Sequence, residues 1–386
     1  MASGKIRMGM IGGGKNAFIG AVHRIAAHID GLIELSCGAL SSNPETAKAS
    51  GRDLFLPESR NYGSYKEMIE TEARLPEDQR MHFVSIVTPN FAHFEPAMMA
   101  LEHGFHVVID KPITLSLEEA KKLEEKIQET GLLLCLTHTY SGYPMVKQAR
   151  QMVKDGKFGK IRKVCVEYPQ GWLSLPSEKE GNQQAAWRTD PAKSGKAGCM
   201  GDIGTHAAQL AEYISGLEIT QLCADLNRVV EGRRLDDDGN ILLKFNNGAN
   251  GLLMASQIAA GEENALFIRV YGEKGGLEWH QEEPNTLKVK WLDAPSQLYR
   301  AGQGYLSSFA KHNCRTPAGH PEGYLEAFAN IYRNFALTLN SRLNGTEPTA
   351  EMLDFPGAAE GVRGMAFIEN AVASGQSDQK WFDFKI

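Results

Sequence analysis

Short apolar runs at 6–11, 33–40, 82–87, 106–109 and 132–136 alternate with stretches at 17–30, 44–50, 65–75, 94–103 and 117–130, where apolar residues recur at helical spacing. Strands that are apolar throughout, each followed by an amphipathic helix, predict a parallel sheet covered on both faces. After about residue 140 the rhythm changes. A helix at 145–155 leads to a strand at 161–168, a long Gly-, Pro- and Ser-bearing segment at 169–197, and a helix near 202–215. Strand-like segments then succeed one another at 219–230, 241–245, 251–258, 266–271, 277–280 and 287–291, which predicts an antiparallel sheet. Asp238-Gly239-Asn240 reads as a hairpin turn. Two helices, 322–343 and 357–373, close the chain. The expected architecture is α/β, with a doubly wound parallel-sheet domain over 1–137 and a second α/β domain over 138–386. The second domain's sheet is expected to be large and mostly antiparallel, and the terminal helices are able to pack back on the first domain. Segment 169–197 is polar and loop-like, and loops of that length are usually functional.

Composition narrows the function classes. A chain of 386 residues is too long for one ordinary core, and 42% hydrophobic with 23% charged residues is a globular balance. A net charge of −6 argues against a nucleic-acid partner, because phosphate neutralisation needs a basic surface. The best apolar run, 131–136, is far too short for a signal peptide core or a membrane span. The six cysteines, Cys37, Cys135, Cys165, Cys199, Cys223 and Cys314, are scattered without a Cys-x-x-Cys pair. Reduced core thiols in a cytoplasmic protein are the expectation. His312, Cys314 and His320 lie near one another in sequence, but their spacing fits no zinc pattern, so no metal is expected.

Candidate chemistry begins at Gly12-Gly13-Gly14-Lys15-Asn16-Ala17, between the first strand and the first helix. Gly12 and Gly14 let the backbone turn tightly against a pyrophosphate, and the helix N-terminus offers free N–H groups to that anion. Lys15, Asn16 and Ala17 complete the turn. The second strand ends in Ser41-Ser42-Asn43 without the carboxylate that usually binds the adenosine ribose hydroxyls. Ser41 and Asn43 suit a hydroxyl or a phosphate equally, and Arg52 is a candidate phosphate partner. NAD is preferred over NADP because no Arg or Lys adjoins the strand end, and the choice stays open. Thr88, Asn90 and His93 follow the third strand, where ligands of such sheets bind; Asn90 also suits a helix cap.

The fourth strand ends in Asp110-Lys111-Pro112. A lysine at a strand's carboxyl end, desolvated there, loses its proton more easily and hydrogen-bonds a reacting hydroxyl; a surface ion pair with Asp110 is the alternative. Gly201-Asp202-Ile203-Gly204-Thr205-His206 supplies the second element. Asp202 and His206 are four apart and share a helix face. Imidazole takes a hydroxyl proton near neutral pH, and a neighbouring carboxylate orients the substrate. A purely structural i,i+4 pair is the competing reading, against which stands the Gly-rich run from Gly195 to Gly204.

The turn GGGKNA, the stretch TPNFAHFEPAMMALEHGFHVVIDKP, the segment GDIGTHAAQLAEY and the terminal helices, in this order, resemble the glucose–fructose oxidoreductase, inositol dehydrogenase and MocA (Gfo/Idh/MocA) family over nearly the whole chain. WRTDPAKSGKAGCMGDIGTHA and GHPEGYLEAFANIY are most similar to its levoglucosan and glucoside 3-dehydrogenase branch. The resemblance implies a Rossmann domain and a second domain whose open sheet forms a homodimer or homotetramer contact. It implies His206 as general base, Lys111 and Asp202 as polarising groups, and a carbohydrate substrate oxidised at the third ring carbon. Asp110 departs from the family's usual Glu. Tyr140 is expected to border the substrate, and Gln170, Trp187, Arg188 and His320 to grip its hydroxyls or, equally, to pack loops. Two other function classes compete: a lyase or glycosidase that oxidises its substrate transiently with bound NAD, and a non-catalytic cofactor-sensing binder.

Overall fold

The structure, a computed structural model, describes residues 4–15 and 17–386, so Asn16 of the nucleotide turn lies outside the described residues. The chain runs β1 (Ile6–Gly12), α1 (Phe18–His28), β2 (Ile33–Ala39), α2 (Pro44–Asp53), α3 (Tyr65–Arg74), β3 (Phe83–Val87), α4 (Phe94–Glu102), β4 (His106–Ile109), α5 (Leu117–Thr130) and β5 (Leu134–Leu136). Next come α6 (Pro144–Lys154), β6 (Ile161–Pro169), α7 (Gln183–Arg188), α8 (Pro191–Ser194) and α9 (Thr205–Ser215). Strands follow: β7 (Ile219–Asn227), β8 (Asp238–Phe245), β9 (Asn250–Ser256), β10 (Phe267–Gly272), β11 (Gly275–His280), β12 (Thr286–Trp291) and β13 (Gln297–Arg300). The last elements are α10 (Ser308–His312), α11 (Tyr324–Leu343), α12 (Ala358–Gly375) and β14 (Phe382–Asp383).

These elements form two units, one holding the chain through Thr139 together with Tyr324–Val362, the other Tyr140–Gly323 with Arg363–Ile386. Local chemistry starts and stops the helices of the first. Asn43, Ser64 and Ser116 cap α2, α3 and α5 by accepting from the N–H of Thr46, Glu67 and Glu119. Gly131, at φ +66°, ends α5 in the left-handed conformation that a Cβ disfavours. The first unit's strands pair in parallel in the order β2-β1-β3-β4-β5. The chain leaves β1 for β2 on one side and then crosses to β3 on the other. Crossovers therefore change direction between β1 and β3, and in such sheets ligands bind beyond the carboxyl ends at that point. All of β3 is buried. α11 covers the sheet with Phe328, Tyr332, Phe335 and Leu339, a helical stripe packed with Val22, Ala26, Phe83 and Val108 in one core.

The second unit is built on a sheet ordered β13-β12-β11-β10-β6-β9-β8-β7-β14, antiparallel except where β6 pairs with β9. Along β8, Ile241, Leu243 and Phe245 are buried, whereas Asn240, Leu242 and Lys244 face outward. The expected hairpin at Asp238-Gly239-Asn240 is not a turn. These residues open β8 and pair with Asn227–Asp225 and with Ser256–Met254. The chain reverses earlier, where the Asp237 carboxylate accepts from Val229 N at 2.8 Å and Val230 N at 2.9 Å. Gly239 reflects close packing: a Cβ there would stand 2.7 Å from Leu226 and from Met200. The segment 169–197 likewise carries structure of its own, a 3₁₀ turn at Ser177–Glu180 followed by α7 and α8. Asn182 and Asp190 cap those two helices, and Arg233 ties the segment down through Leu175 O at 3.0 Å and through Glu178.

Candidate active site

The first unit gathers its candidates at the carboxyl ends of its strands. After β1 the turn runs through Gly12 (φ +79°) and Gly13 (φ +72°), both left-handed. A Cβ on Gly12 would meet Thr88 Cγ2 at 2.9 Å, and one on Gly14 would meet Leu40 O at 2.6 Å. The close approach of helix to turn falls at Gly20 and Gly13, not at Ala17: a Cβ on Gly20 would overlap Gly13, while Ala17 serves as the N-cap position of α1. Lys15 is exposed, and its backbone N–H donates to Ser50 Oγ at 3.0 Å, fastening the turn to α2.

α1 differs from α2, α3 and α5 at its start. Among the described residues no side chain caps it, and its first turn holds no acidic residue. Its leading N–H groups thus offer partial positive charge to an anion, and the glycine cradle leaves room for one. A dinucleotide pyrophosphate fits this arrangement. At the end of β2, Asn43 Oδ1 is engaged by Thr46 N at 2.9 Å and Ser41 Oγ by Asn43 N at 3.2 Å, so Asn43 acts first as a helix cap. Ser42 and Arg52 are exposed.

Thr88 Oγ1 donates to Ala92 O at 2.9 Å, closing the 3₁₀ turn Asn90–Ala92. Asn90 is buried but does not cap α4, whose N-cap position is His93. His93 is wholly buried with Nε2 2.8 Å from Thr88 O and Nδ1 2.8 Å from Pro112 O. It is a strut between the ends of β3 and β4. After β4, the Asp110 carboxylate accepts from Lys111 N at 2.8 Å and Thr137 Oγ1 at 2.9 Å, both on Oδ1. Lys111 is half-buried, and the peptide to Pro112 is cis. His138, at the end of β5, is pushed down to about 3 by burial and then by the Lys111 charge, with Asp110 opposing.

The second unit gathers the remaining candidates. Asp202 lies in a π-helical turn, Met200–Gly204, that runs directly into α9, and His206 sits in the first turn of α9. Such turns are rare and frequently mark functional sites. The buried Asp236 carboxylate holds the segment, accepting from Gly198 N and Met200 N at 2.7 Å each; burial raises its pKa while those donors lower it. Asp202 Oδ2 accepts from Arg188 Nε at 3.1 Å and Gln257 Nε2 at 2.8 Å. The Arg188 guanidinium stacks over Trp187, 4.3 Å from the ring centroid, with Trp172 at 5.7 Å.

The Tyr140 ring meets the His206 imidazole edge to face at 4.9 Å. Its hydroxyl bonds Tyr168 and receives Asn264 Nδ2 at 3.3 Å. Asn264 Oδ1 also accepts from Tyr168 Oη at 2.8 Å and Gln170 Nε2 at 2.6 Å, and Gln170 Oε1 from Trp172 Nε1 at 3.0 Å. Tyr140, Gln170, Trp187, Arg188, Asp202 and His206 thus belong to one polar cluster. His320 does not: it is exposed, with Nδ1 3.3 Å from Pro317 O. Sequence reasoning missed Gln257, Asn264, Tyr168 and Trp172. Only Gln257 left a trace, as an amide directly after an apolar strand, where a buried polar group needs a specific partner. Among the described residues no group of His, Cys, Asp and Glu is placed to hold a metal.

Comparison with known proteins identifies the family. Residues 6–138 match the model of an oxidoreductase family with an NAD-binding Rossmann fold, and 146–278 match the GFO/IDH/MocA C-terminal domain. The chain is therefore a member of the Gfo/Idh/MocA oxidoreductase family, and its first unit is an NAD-binding Rossmann domain. It is similar to the uncharacterized oxidoreductase YfiI of Bacillus subtilis, 32% identical over 98% of this chain and 97% of that one. Levoglucosan dehydrogenase of Pseudarthrobacter phenanthrenivorans is 26% identical over 77% of this chain and 78% of its own. Among solved structures, an inositol dehydrogenase homolog from Azotobacter vinelandii complexed with NAD+ superposes with a TM-score of 0.93 at 36% identity, covering 99% of this chain and 98% of that one. The same homolog complexed with NADH and myo-inositol gives 0.90 at 35% identity, with coverage of 99% and 98%.

Proposed function

We propose that this protein is an NAD-dependent dehydrogenase that oxidises a secondary hydroxyl of a sugar, glycoside, anhydrosugar or cyclitol, at the third ring carbon where the substrate is a pyranose. The observation that carries the reading is the cluster around Asp202 and His206. A carboxylate, an imidazole, carboxamides, phenols and a guanidinium occupy one patch of the second unit, the donor and acceptor mixture that a polyhydroxylated ring requires. The names of the levoglucosan and inositol relatives support that substrate class.

The nicotinamide, when bound, accepts the hydride. Gly12, Gly14, Ala17 and the open start of α1 would hold its pyrophosphate, with Lys15, Ser41, Ser42, Thr88, Asn90 and Asp110 bordering the dinucleotide. His206 takes the hydroxyl proton as hydride leaves the same carbon, and Asp202 fixes the hydroxyl while Arg188 and Gln257 hold its carboxylate in place. Lys111 donates a hydrogen bond to the oxygen that becomes the carbonyl, favouring the alkoxide-like transition state. Tyr140 packs the imidazole; Gln170, Trp187 and Arg188 line the ring's path.

The test is a panel of glucosides, anhydrosugars and inositols with NAD or NADP, read by absorbance of the reduced cofactor and by NMR of the product. Turnover with stoichiometric NADH supports the reading, whereas product without net NADH assigns the lyase cycle instead. His206→Ala should lower kcat by about a hundredfold or more with NAD binding retained. Wild-type turnover in that variant removes His206 from the chemistry.

We also propose a homodimer or homotetramer through the outer face of the nine-stranded sheet, where Leu242 (46%) and Leu298 (57%) stand exposed. Light scattering that returns a monomer mass would overturn this. The unpaired cysteines fit a reducing, cytoplasmic compartment, and among the described residues no helix is long and apolar enough to cross a membrane.

A further inference from the structure

Behind Asp110, away from the chemistry described so far, lies a buried polar chain that the proposed reaction does not use. His23 on α1 is wholly buried in the apolar core of the first unit. Its Nδ1 lies 2.7 Å from Tyr332 Oη on α11, and that hydroxyl lies 2.7 Å from Ser85 Oγ on β3. Its Nε2 has no hydrogen-bond partner among the described residues and lies 4.0 Å from Asp110 Oδ2. That distance is too long for a hydrogen bond, but the carboxylate charge still acts across it on an imidazole that is wholly buried.

The carboxylate selects the tautomer. With the proton on Nδ1, the Nε2 lone pair would face an anion. With it on Nε2, an N–H dipole faces the anion, and Tyr332 can donate to Nδ1 while Ser85 donates to Tyr332. The second arrangement aligns every donor toward Asp110. Asp110 is then held on both oxygens. Oδ1 is fixed by Lys111 N and Thr137 Oγ1, and Oδ2 faces His23. Rotation of the carboxylate would break the two hydrogen bonds on Oδ1 and carry Oδ2 away from the imidazole, and the backbone that roots the Lys111 side chain is tied to it.

We infer that His23, seated by Tyr332 and Ser85, is a positioning residue for Asp110 and, through Asp110, for Lys111. This rests on the reading above that Lys111 serves the reaction. The other titratable or charged groups acting on the chain are His93 and Arg24 on His23, His138 beside Asp110 and Lys111, and Cys135 on Tyr332. A single phenol and a single imidazole thus connect the core helix α11 to the reacting end of β4.

The experiment compares His23→Gln, His23→Asn, Tyr332→Phe and Lys111→Ala in the full-length protein on the best substrate of the panel. A glutamine amide reaches the Nε2 position and can face Asp110; an asparagine amide reaches only the Nδ1 position and can face Tyr332. The inference expects His23→Asn to lower kcat about tenfold or more and to shift the pH profile, with KM for NAD within about twofold, and His23→Gln to recover most of that loss. Equal kcat and equal pH profiles for the two variants overturn it, as does better activity in the asparagine variant. If neither variant folds, Tyr332→Phe decides, since it removes only the hydroxyl that seats the His23 Nδ1: an unchanged pH profile overturns the inference. Lys111→Ala separates the two readings. Retained turnover there refutes the role of Lys111 itself, whereas a dead Lys111→Ala beside wild-type-like His23 variants refutes only the positioning role.

Discussion

The first unit should lose stability between pH 7.5 and pH 5 because of histidines that it buries uncharged. His23 and His138 are 0% and 1% exposed. Burial lowers the first to about 4 against the pull of Asp110, and the second to about 3 with the help of the Lys111 charge. In the unfolded chain both return to 6.5. A depressed histidine pKa means that the unfolded state binds protons first. The stabilisation is therefore complete above about pH 6.5 and drains away as pH falls from there toward the folded values. At pH 5 each ring forfeits about 2 kcal/mol, since one pH unit below the unfolded pKa is worth about 1.4 kcal/mol. Together they remove about 4 kcal/mol, a large part of the 5–15 kcal/mol that holds a typical domain. For a unit of this size that is a fall in melting temperature of about 10 °C. His82 and His106, also lowered to about 4, act in the same direction with less weight because they are less buried. Differential scanning calorimetry at pH 7.5, 6.5, 5.5 and 5.0 without cofactor measures the effect. A flat melting temperature across that range would show that the two rings are not buried neutral, and the argument would fail.

Gly20→Val should push α1 off the nucleotide turn, because its Cβ has no room beside Gly13; a loss of about 1–3 kcal/mol and weakened NAD binding by titration calorimetry are expected, and unchanged affinity would move the cofactor elsewhere. Arg188→Leu leaves the Asp202 carboxylate with one fewer donor, so kcat/KM for the sugar should fall about tenfold or more while NAD binding is untouched; equal kinetics would make that contact incidental.

The order of elements was legible in the chain because its causes are local. Each strand of the first unit is a largely apolar run, broken only by residues such as Arg7, Glu34 and Ser36, and Asn43, Ser64, Ser116 and Gly131 mark helix ends within a few residues of where they act. Glycines beside a phosphate-sized turn, a lysine after β4 and an Asp–His pair straddling the start of α9 are likewise readable as residue types at a spacing. What could not be read is which groups meet across the chain. Asp238-Gly239-Asn240 has the composition of a turn, yet tertiary packing against Leu226 and Met200 makes it a strand.

The same limit governs the candidate site. Composition and spacing determined that this chain carries a glycine turn after its first strand and an Asp–His pair four residues apart. Only the folded units decided that Gln257 and Arg188 share Asp202, that Asn264 gathers Tyr140, Tyr168 and Gln170, and that His23 faces Tyr332 across 309 positions of sequence. The reason is physical: a propensity or a cap is settled by neighbours along the backbone. A buried polar group is settled by whichever partner the packing brings within about 3 Å, and no periodicity encodes that distance.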